Sequence, residues 1–488
     1  NNFFGAVAGY CNTTGNFNNF FGFLSGYNNT TGVYNNFLGN GAGFSNTTGG
    51  YNNFFGASAG FCNTTGNNNN FFGLLAGYNN TTGTYNNFLG NGAGYYNTTG
   101  GYNNFFGRLA GYYNTTGSSN NFLGSQAGYC NTTGYNNNFL GSQAGYCNTT
   151  GNNNNFFGPS AGQNNTTGNN NNFLGFVAGF NNTTGDSNNF LGFLAGYYNT
   201  TGSANNFLGS NAGYCNTTGG YNNFLGSFAG FCNTTGGYNN FFGRNAGRCN
   251  TTGILNNFIG RSAGIKNISG SINNFFGTYA GAYNTTGCNN NFIGALAGYN
   301  NTTGYSNNFF GRNAGYFNTT GGCNNFFGSY AGVNNYTGSN NIALGYNSGN
   351  DAVYNFGTSP ASDTIVLGNN NHTSAYIKVN WTVTSDQRDK TNISSVPIGL
   401  EFVNQLNPVQ YQFKNRETNE VTDTKTRYGF LAQDIQKLEQ APRVIVDETD
   451  PENLKLSESM IIPVLVNAIK ELTEKVEELS AKVASLTK

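Results

Sequence analysis

Large apolar side chains recur along residues 1–340 at a fixed step of 17: Phe3, Phe20, Phe37 and onward to Phe326, each followed by Phe, Leu or Ile and then by Gly. Twenty consecutive copies run from Asn1 to Asn340 without an insertion or deletion. Each reads Asn-Asn-Phe-(Phe/Leu/Ile)-Gly-x-x-Ala-Gly-x-x-Asn-Thr-Thr-Gly-x-x. Copy 4 spans Asn52 to Asn68, and copy 16 departs most, with Asn267-Ile268-Ser269 in place of Asn-Thr-Thr. A period this short that never slips predicts one turn of a β-solenoid per copy, each turn stacked on the last. A helix pair does not fit into 17 residues that hold three glycines.

Comparison among the copies assigns a task to each position. Adjacent side chains of a strand point to opposite faces, so the apolar pair at positions 3 and 4 predicts a strand buried on both faces. One face fills the lumen of the coil. The other needs a second surface, either another part of the coil or another chain, and an oligomer is expected on that ground. Glycine at positions 5, 9 and 15 suits a positive φ or a tight corner, and position 8 is Ala except for Ser25. Asparagine at positions 1, 2 and 12 is expected to stack into amide ladders along the axis. At about 4.8 Å per coil, twenty coils give a rod on the order of 95 Å long.

After Asn340 the pattern changes. Asn340-Asn341-Ile342-Ala343-Leu344-Gly345 and Thr364-Ile365-Val366-Leu367-Gly368 are expected to cap the shaft. From Ala375 an alternation with period two predicts a strand, Ile377, Val379, Trp381 and Val383 on one face and Lys378, Asn380 and Thr382 on the other. Beyond Ser385 the pattern predicts a short helix around Gly399–Leu406, strands near Val409–Phe413 and Tyr428–Leu431, a helix from Gln433 and a strand at Arg443–Val446. This is a small α+β domain. The last thirty residues carry heptads, with Ile462, Ile469, Val476 and Val483 at a and Leu465, Leu472, Leu479 and Leu486 at d. They predict an oligomerising coiled coil, and β-branched a with Leu at d nominally favours two strands.

Composition sharpens the division. Only 8% of residues are charged, against roughly 25% in an ordinary soluble domain. Residues 1–340 hold seven charged side chains, Arg108, Asp186, Arg244, Arg248, Arg261, Lys266 and Arg312; all others follow. With zero net charge and no basic stripe, nucleic acid is not an expected partner. No apolar run is long enough to predict a membrane span. The chain begins in repeat phase, without Met or a signal-like segment, and is expected to be truncated at its N-terminus. Cys11, Cys62, Cys130, Cys147, Cys215, Cys232 and Cys249 share position 11, and no CxxC pair occurs. Free thiols are expected there, with no metal and no cofactor. Every copy contains an Asn-x-Ser/Thr sequon, read as a turn with a stacked Asn in preference to a glycosylation site. Ice binding through the Thr ladder is a remote alternative.

The shaft consensus resembles the β-roll head repeats of trimeric autotransporter adhesins and related repeats of phage tail fibres, with Phe-Phe-Gly in place of Ala-Ile-Gly; handedness is left open. Downstream, Ser385-Asp386-x-Arg388-x-Lys390 with Asn392-Ile393, then Gly429-Phe430-Leu431-Ala432-Gln433, then Ile462-Pro463-Val464-Leu465-Val466-Asn467-Ala468-Ile469 resemble the self-cleaving intramolecular chaperone domain of phage tailspikes and tail fibres. That resemblance implies Ser385 as nucleophile, Lys390 as its general base and a cut at the Thr384–Ser385 bond. It also implies a homotrimer, followed here over the dimer preference of the heptads.

The chemistry is plausible without the resemblance. A serine hydroxyl needs a base, and His372 is the only histidine, so a Ser-His-Asp triad is hard to build. A lysine serves if burial lowers its pKa. Lys390 lies five residues after Ser385, a spacing that misses a helix face but that a turn closes; Asp386 and Arg388 are candidates to orient the loop or pair across chains. By spacing alone, a polar turn with a solvated lysine is the simpler account.

The expected organisation is a solenoid shaft at 1–340, a cap and neck with β-strands at 341–384, an α+β chaperone and autoprotease domain at 385–457, and a coiled-coil helix at 458–488. The expected function is the shaft of a viral tail fibre or spike that attaches to a host, on the virion or at a cell surface. Its chaperone fixes trimer and register and then cuts itself off in a single turnover. The expected external partner is a host receptor, with glycans one class of it. A bacterial trimeric adhesin is the alternative. A glycan-cleaving enzyme is disfavoured, because Asp186 is the one acid of the shaft.

Overall fold

The computed structural model describes residues 1–350, 354–357, 362–372, 374–379, 381–414, 419–421, 424–440, 442–449 and 451–487. Most of the chain is a β-solenoid with 17-residue coils. Positions 2 to 4 of every copy form a short strand, from β1 (Asn2–Phe4) to β20 (Asn325–Phe327), and each strand pairs in parallel with the same positions of the next coil, as Phe190 does with Phe207. β21 (Ile342–Leu344) and β22 (Ile365–Leu367) add two further rungs in the same register. Among the described residues the sheet has 22 strands.

The core is a column of phenylalanine. Position 3 is fully buried from Phe20 to Phe326, and successive rings stack nearly parallel, 4.8 Å apart for Phe139 and Phe156. The column ends on Phe356, whose ring lies 5.7 Å from that of Phe326. One rise thus satisfies both the interstrand hydrogen bonds and offset ring stacking. Buried Ala at position 8 completes the lumen. At position 9, Gly196 has φ +59°, and a Cβ there would lie on the Phe190 ring. At position 15 the demand is for space: a Cβ on Gly202 would meet the Gly219 carbonyl oxygen and the Asn199 amide.

Three expectations are corrected. Position 4 is not enclosed: one Phe and one Ala fill the lumen of each coil, and the neighbouring apolar residue stands on the outer face, 38% exposed at Leu191 and 37% at Leu208. The asparagines form two ladders, not three. At position 2, Asn189 Nδ2 donates to Asn206 Oδ1 at 2.7 Å. At position 12 the direction reverses: Asn199 Nδ2 donates to Asn182 Oδ1 at 2.7 Å and to the Gly202 carbonyl at 2.9 Å. Position 1 through most of the shaft caps backbone instead. Asn188 Oδ1 accepts the Asn205 N–H at 3.0 Å, and its Nδ2 donates to Gly202 at 2.9 Å.

The third correction concerns residues 375–383. The described ones lie outside any strand, with Ile377, Val379, Trp381 and Val383 exposed; Asn380 lies outside the described residues. Alternation alone does not make a strand when no described neighbour takes up its backbone hydrogen bonds. The structure also adds what the pattern hid. Positions 7 and 17 are left-handed and mostly carry side chains, as at Leu194 and Ala204, both with φ 56°.

The C-terminal part is a small α/β unit with a long helix. α1 (Leu400–Val403) is followed by β23 (Val409–Tyr411), antiparallel to β24 (Arg427–Gly429), then α2 (Ala432–Leu438). β25 (Val446–Asp447) pairs with β26 (Lys455–Leu456), and α3 (Ile461–Leu486) closes the chain. β25 starts later than expected because the buried Glu439 carboxylate accepts the N–H groups of Val444, Ile445 and Val446, at 2.8 Å for Ile445 and 3.1 Å for Val446. Phe402, Ile435, Ile445, Val446, Ile461 and Val464 form the core. The heptad residues Ile462, Leu465, Ile469, Leu472, Val476 and Leu479 face away from it and are exposed.

Candidate functional site

A single turn brings the predicted pair together. Residues Gln387–Asp389 form a 3-10 turn, closed by the Lys390 N–H on the Gln387 carbonyl at 3.2 Å. Asp386 caps it: Oδ1 accepts the Arg388 N–H at 2.9 Å, and the Arg388 guanidinium grips the same carboxylate through Nε at 3.1 Å and NH2 at 2.6 Å. With the turn closed, Lys390 Nζ donates to Ser385 Oγ at 2.6 Å. The five-residue spacing that misses a helix face is bridged as the residues require. Arg388 pairs with Asp386 inside the loop, and the bonds from its side chain, then its N–H, hold the Asp386 carboxyl below its ordinary range. Thr384, Ser385 and Lys390 are all exposed.

The segment after the turn is tied to α3. Glu471 Oε2 accepts the Leu400 N–H at 2.7 Å, capping α1, and Asn467 Nδ2 donates to the Ile398 carbonyl at 3.1 Å and to Glu471 Oε1 at 3.0 Å. Gly399 passes so close to the Glu471 carboxylate that a Cβ would overlap it. The sequence carried a signal for this clamp, since Asn467 is a lone amide in an apolar helical run with Glu471 one turn later. Neither was assigned a role from the pattern.

The shaft presents no comparable chemistry. Its sequon asparagines at position 12 are buried from Asn29 onward, with the amide spent on two acceptors, as at Asn199. A folded coil therefore gives a glycan no access to them. The Thr hydroxyls of position 13 are engaged as well, Thr200 Oγ1 donating to the Thr217 carbonyl at 3.1 Å. All nine cysteines are free, and burial raises the thiol pKa of Cys62, Cys130, Cys147, Cys215 and Cys232. One open groove is lined by Asn164, Thr166, Asn181, Thr183 and Tyr198, a second by Thr and Asn residues ending at Asp186. Neither holds a pair of carboxylates. Among the described residues no helix is long and apolar enough to cross a membrane.

Comparison with known proteins agrees with the site's location. Residues 385–444 match the model of a peptidase family described as the chaperone of endosialidase. Comparisons with curated proteins and with solved structures gave no match. A long β-solenoid followed by a segment similar to that chaperone fits a tailspike-like or fibre-like protein with a C-terminal chaperone. The family match begins at Ser385, the residue whose hydroxyl Lys390 holds.

Proposed function

We propose that the chain is the shaft of a viral tail fibre or spike, and that residues 385–488 are a trimerising chaperone which removes itself by cutting the Thr384–Ser385 bond. The carrying observation is the 2.6 Å contact of Lys390 Nζ with Ser385 Oγ at the first residue of the family match. In this reading Lys390 takes the Ser385 hydroxyl proton as Oγ adds to the Thr384 carbonyl carbon. The ring that closes contains Oγ, Cβ, Cα and N of Ser385 and that carbonyl carbon. The C–N bond then breaks as the proton passes to the Ser385 nitrogen, leaving an ester on Oγ. Water hydrolyses the ester, giving a carboxylate at Thr384 and a free amino group at Ser385.

Exposure of the pair in a single chain bears on timing. A lysine acts as a base only without its proton, and desolvation favours that form. An assembled trimer would supply the missing cover, so cleavage would follow association. Two apolar features support association: the exposed heptad stripe of α3 and the exposed Ile377, Val379, Trp381 and Val383 just before the cut. The reading is tested by expressing the chain beside Ser385→Ala and Lys390→Ala. The unaltered chain should yield a fragment ending at Thr384 and one beginning at Ser385, while both variants stay whole. Identical bands from all three would exclude the dyad.

A further inference from the structure

Position 4 carries a restriction that the single shaft does not explain. It is Phe, Leu or Ile in all twenty copies, as at Leu174, Leu191, Leu208 and Leu225. Yet it lies outside the lumen, 36% exposed at Phe106 and 42% at Leu89. Position 6, next along the outer surface, holds Ala57, Leu74, Asn91, Arg108, Ser125 or Pro159 in successive copies, as a solvated site does. Only position 4 is held apolar. In-register stacking turns it into an unbroken ridge along the shaft, flanked by the half-buried position 2 amide ladder on the same strand face.

The ridge is too large for chance exposure. At about 70 Å² left open per rung, twenty rungs present on the order of 1,400 Å² of apolar surface. The largest apolar patch of a typical monomer is about 300–600 Å², and a standard interface takes about 800 Å² from each partner. The shape of the ridge narrows the occupant. It is one side chain wide, straight, and repeats at the ring spacing of 4.8 Å. A partner that covers it along its whole length must offer apolar groups at the same spacing for the same distance. A second copy of this chain, parallel to the first, does so.

We infer that the position 4 ridge is the face through which shafts pack against each other, parallel and rung for rung. This rests on the fibre reading above, narrows its partner to the chain itself and assigns the surface. The polar ladder of position 2 borders the contact and leaves the variable positions 6, 10, 11, 16 and 17 free.

The test places the photocrosslinker p-benzoylphenylalanine at Leu208 in the full chain, with Phe193 of position 6, 50% exposed, as the control site. The inference expects several-fold more crosslinked dimer or trimer from Leu208 than from Phe193. The adduct should map to the partner's coil Asn205–Tyr221. Equal yields from the two sites, or monomer alone, would overturn the face; adducts spread over other coils would overturn the rung-for-rung packing. A chain carrying Leu191→Thr, Leu208→Thr and Leu225→Thr should keep its circular dichroism and lose shaft association, and retained association would count against the ridge. Repeating the crosslink in Ser385→Ala separates this inference from self-cleavage. Crosslinking with no cut in the unaltered chain sinks the cleavage reading alone, and a normal cut with no crosslink sinks the ridge alone.

Discussion

Replacing Asn199 with Asp changes a single group in a buried ladder and should make a pH-insensitive shaft sensitive to pH. The Asn199 amide nitrogen donates to Asn182 Oδ1 at 2.7 Å and to the Gly202 carbonyl at 2.9 Å, while its oxygen accepts from Asn216 at 2.7 Å. An ionised carboxylate keeps the last contact and turns an oxygen toward two acceptors. Each buried polar group left unpaired costs about 1–3 kcal/mol, so the ionised variant should lose roughly 3–6 kcal/mol. A protonated carboxyl donates to one of the two acceptors and recovers about half of that, or about 2–3 kcal/mol. At 1.36 kcal/mol per unit this raises the folded-state pKa by about two units, from about 3.9 to about 6.

The folded state then binds the proton more tightly than the unfolded one. The recovered stability is fully present below about pH 4 and is lost as pH rises through about 6. The unaltered shaft supplies a flat baseline, because its charged residues are Asp186 and six cations. Amide hydrogen exchange at Thr200, Thr201 and Gly202, corrected for intrinsic rates, should show the variant coil opening far more readily at pH 7 than at pH 4.5. Equal protection at the two pH values, or better protection at pH 7, would refute the ladder as the determinant of coil stability.

Three further outcomes are expected. Gly196→Ala puts a methyl group on the Phe190 ring at φ +59°; left-handed strain and overpacking together should cost about 2–5 kcal/mol, read as local loss of exchange protection. Ala204→Asn should stabilise by about 0.5–1 kcal/mol in a thermal melt, since φ is 56° there and Asn tolerates the left-handed region. Glu471→Ala uncaps α1 and frees Asn467, so the C-terminal unit should lose about 1–3 kcal/mol in denaturant while the shaft transition stays in place.

The coil was legible in the sequence because its period is a hard constraint: a 17-residue step with fixed Phe, Ala and Gly admits one stacked turn per copy. Which face of the strand forms the lumen was not legible, because period two separates positions 3 and 4 without saying which side closes. The left-handed positions were hidden for a different reason. Glycine marks position 7 only at Gly41 and Gly92, and position 17 never, so the residue that reports positive φ is missing where the backbone adopts it. Position 1 looked like a ladder because composition shows an amide but not its acceptor. Around Ser385 the local contact was readable as a turn, whereas the Glu471 clamp spans 71 residues and left a trace only in Asn467.

The regularity that builds the shaft also removes the information needed to align several of them. Sliding one chain past another by a single coil leaves the Phe column, both amide ladders and the apolar character of the position 4 ridge in place. Only the order of Phe, Leu and Ile along the ridge distinguishes one rung from the next, and such swaps cost little at a half-exposed site. Correct alignment therefore has to come from the aperiodic part of the chain, where α1, α3 and the Ser385 turn occur once each. In the proposed mechanism a domain that assembles first fixes the rung, the shaft zips from that end, and cutting before Ser385 removes the template. What remains is held by the slow unfolding of a stacked array that has no route back to its starting point.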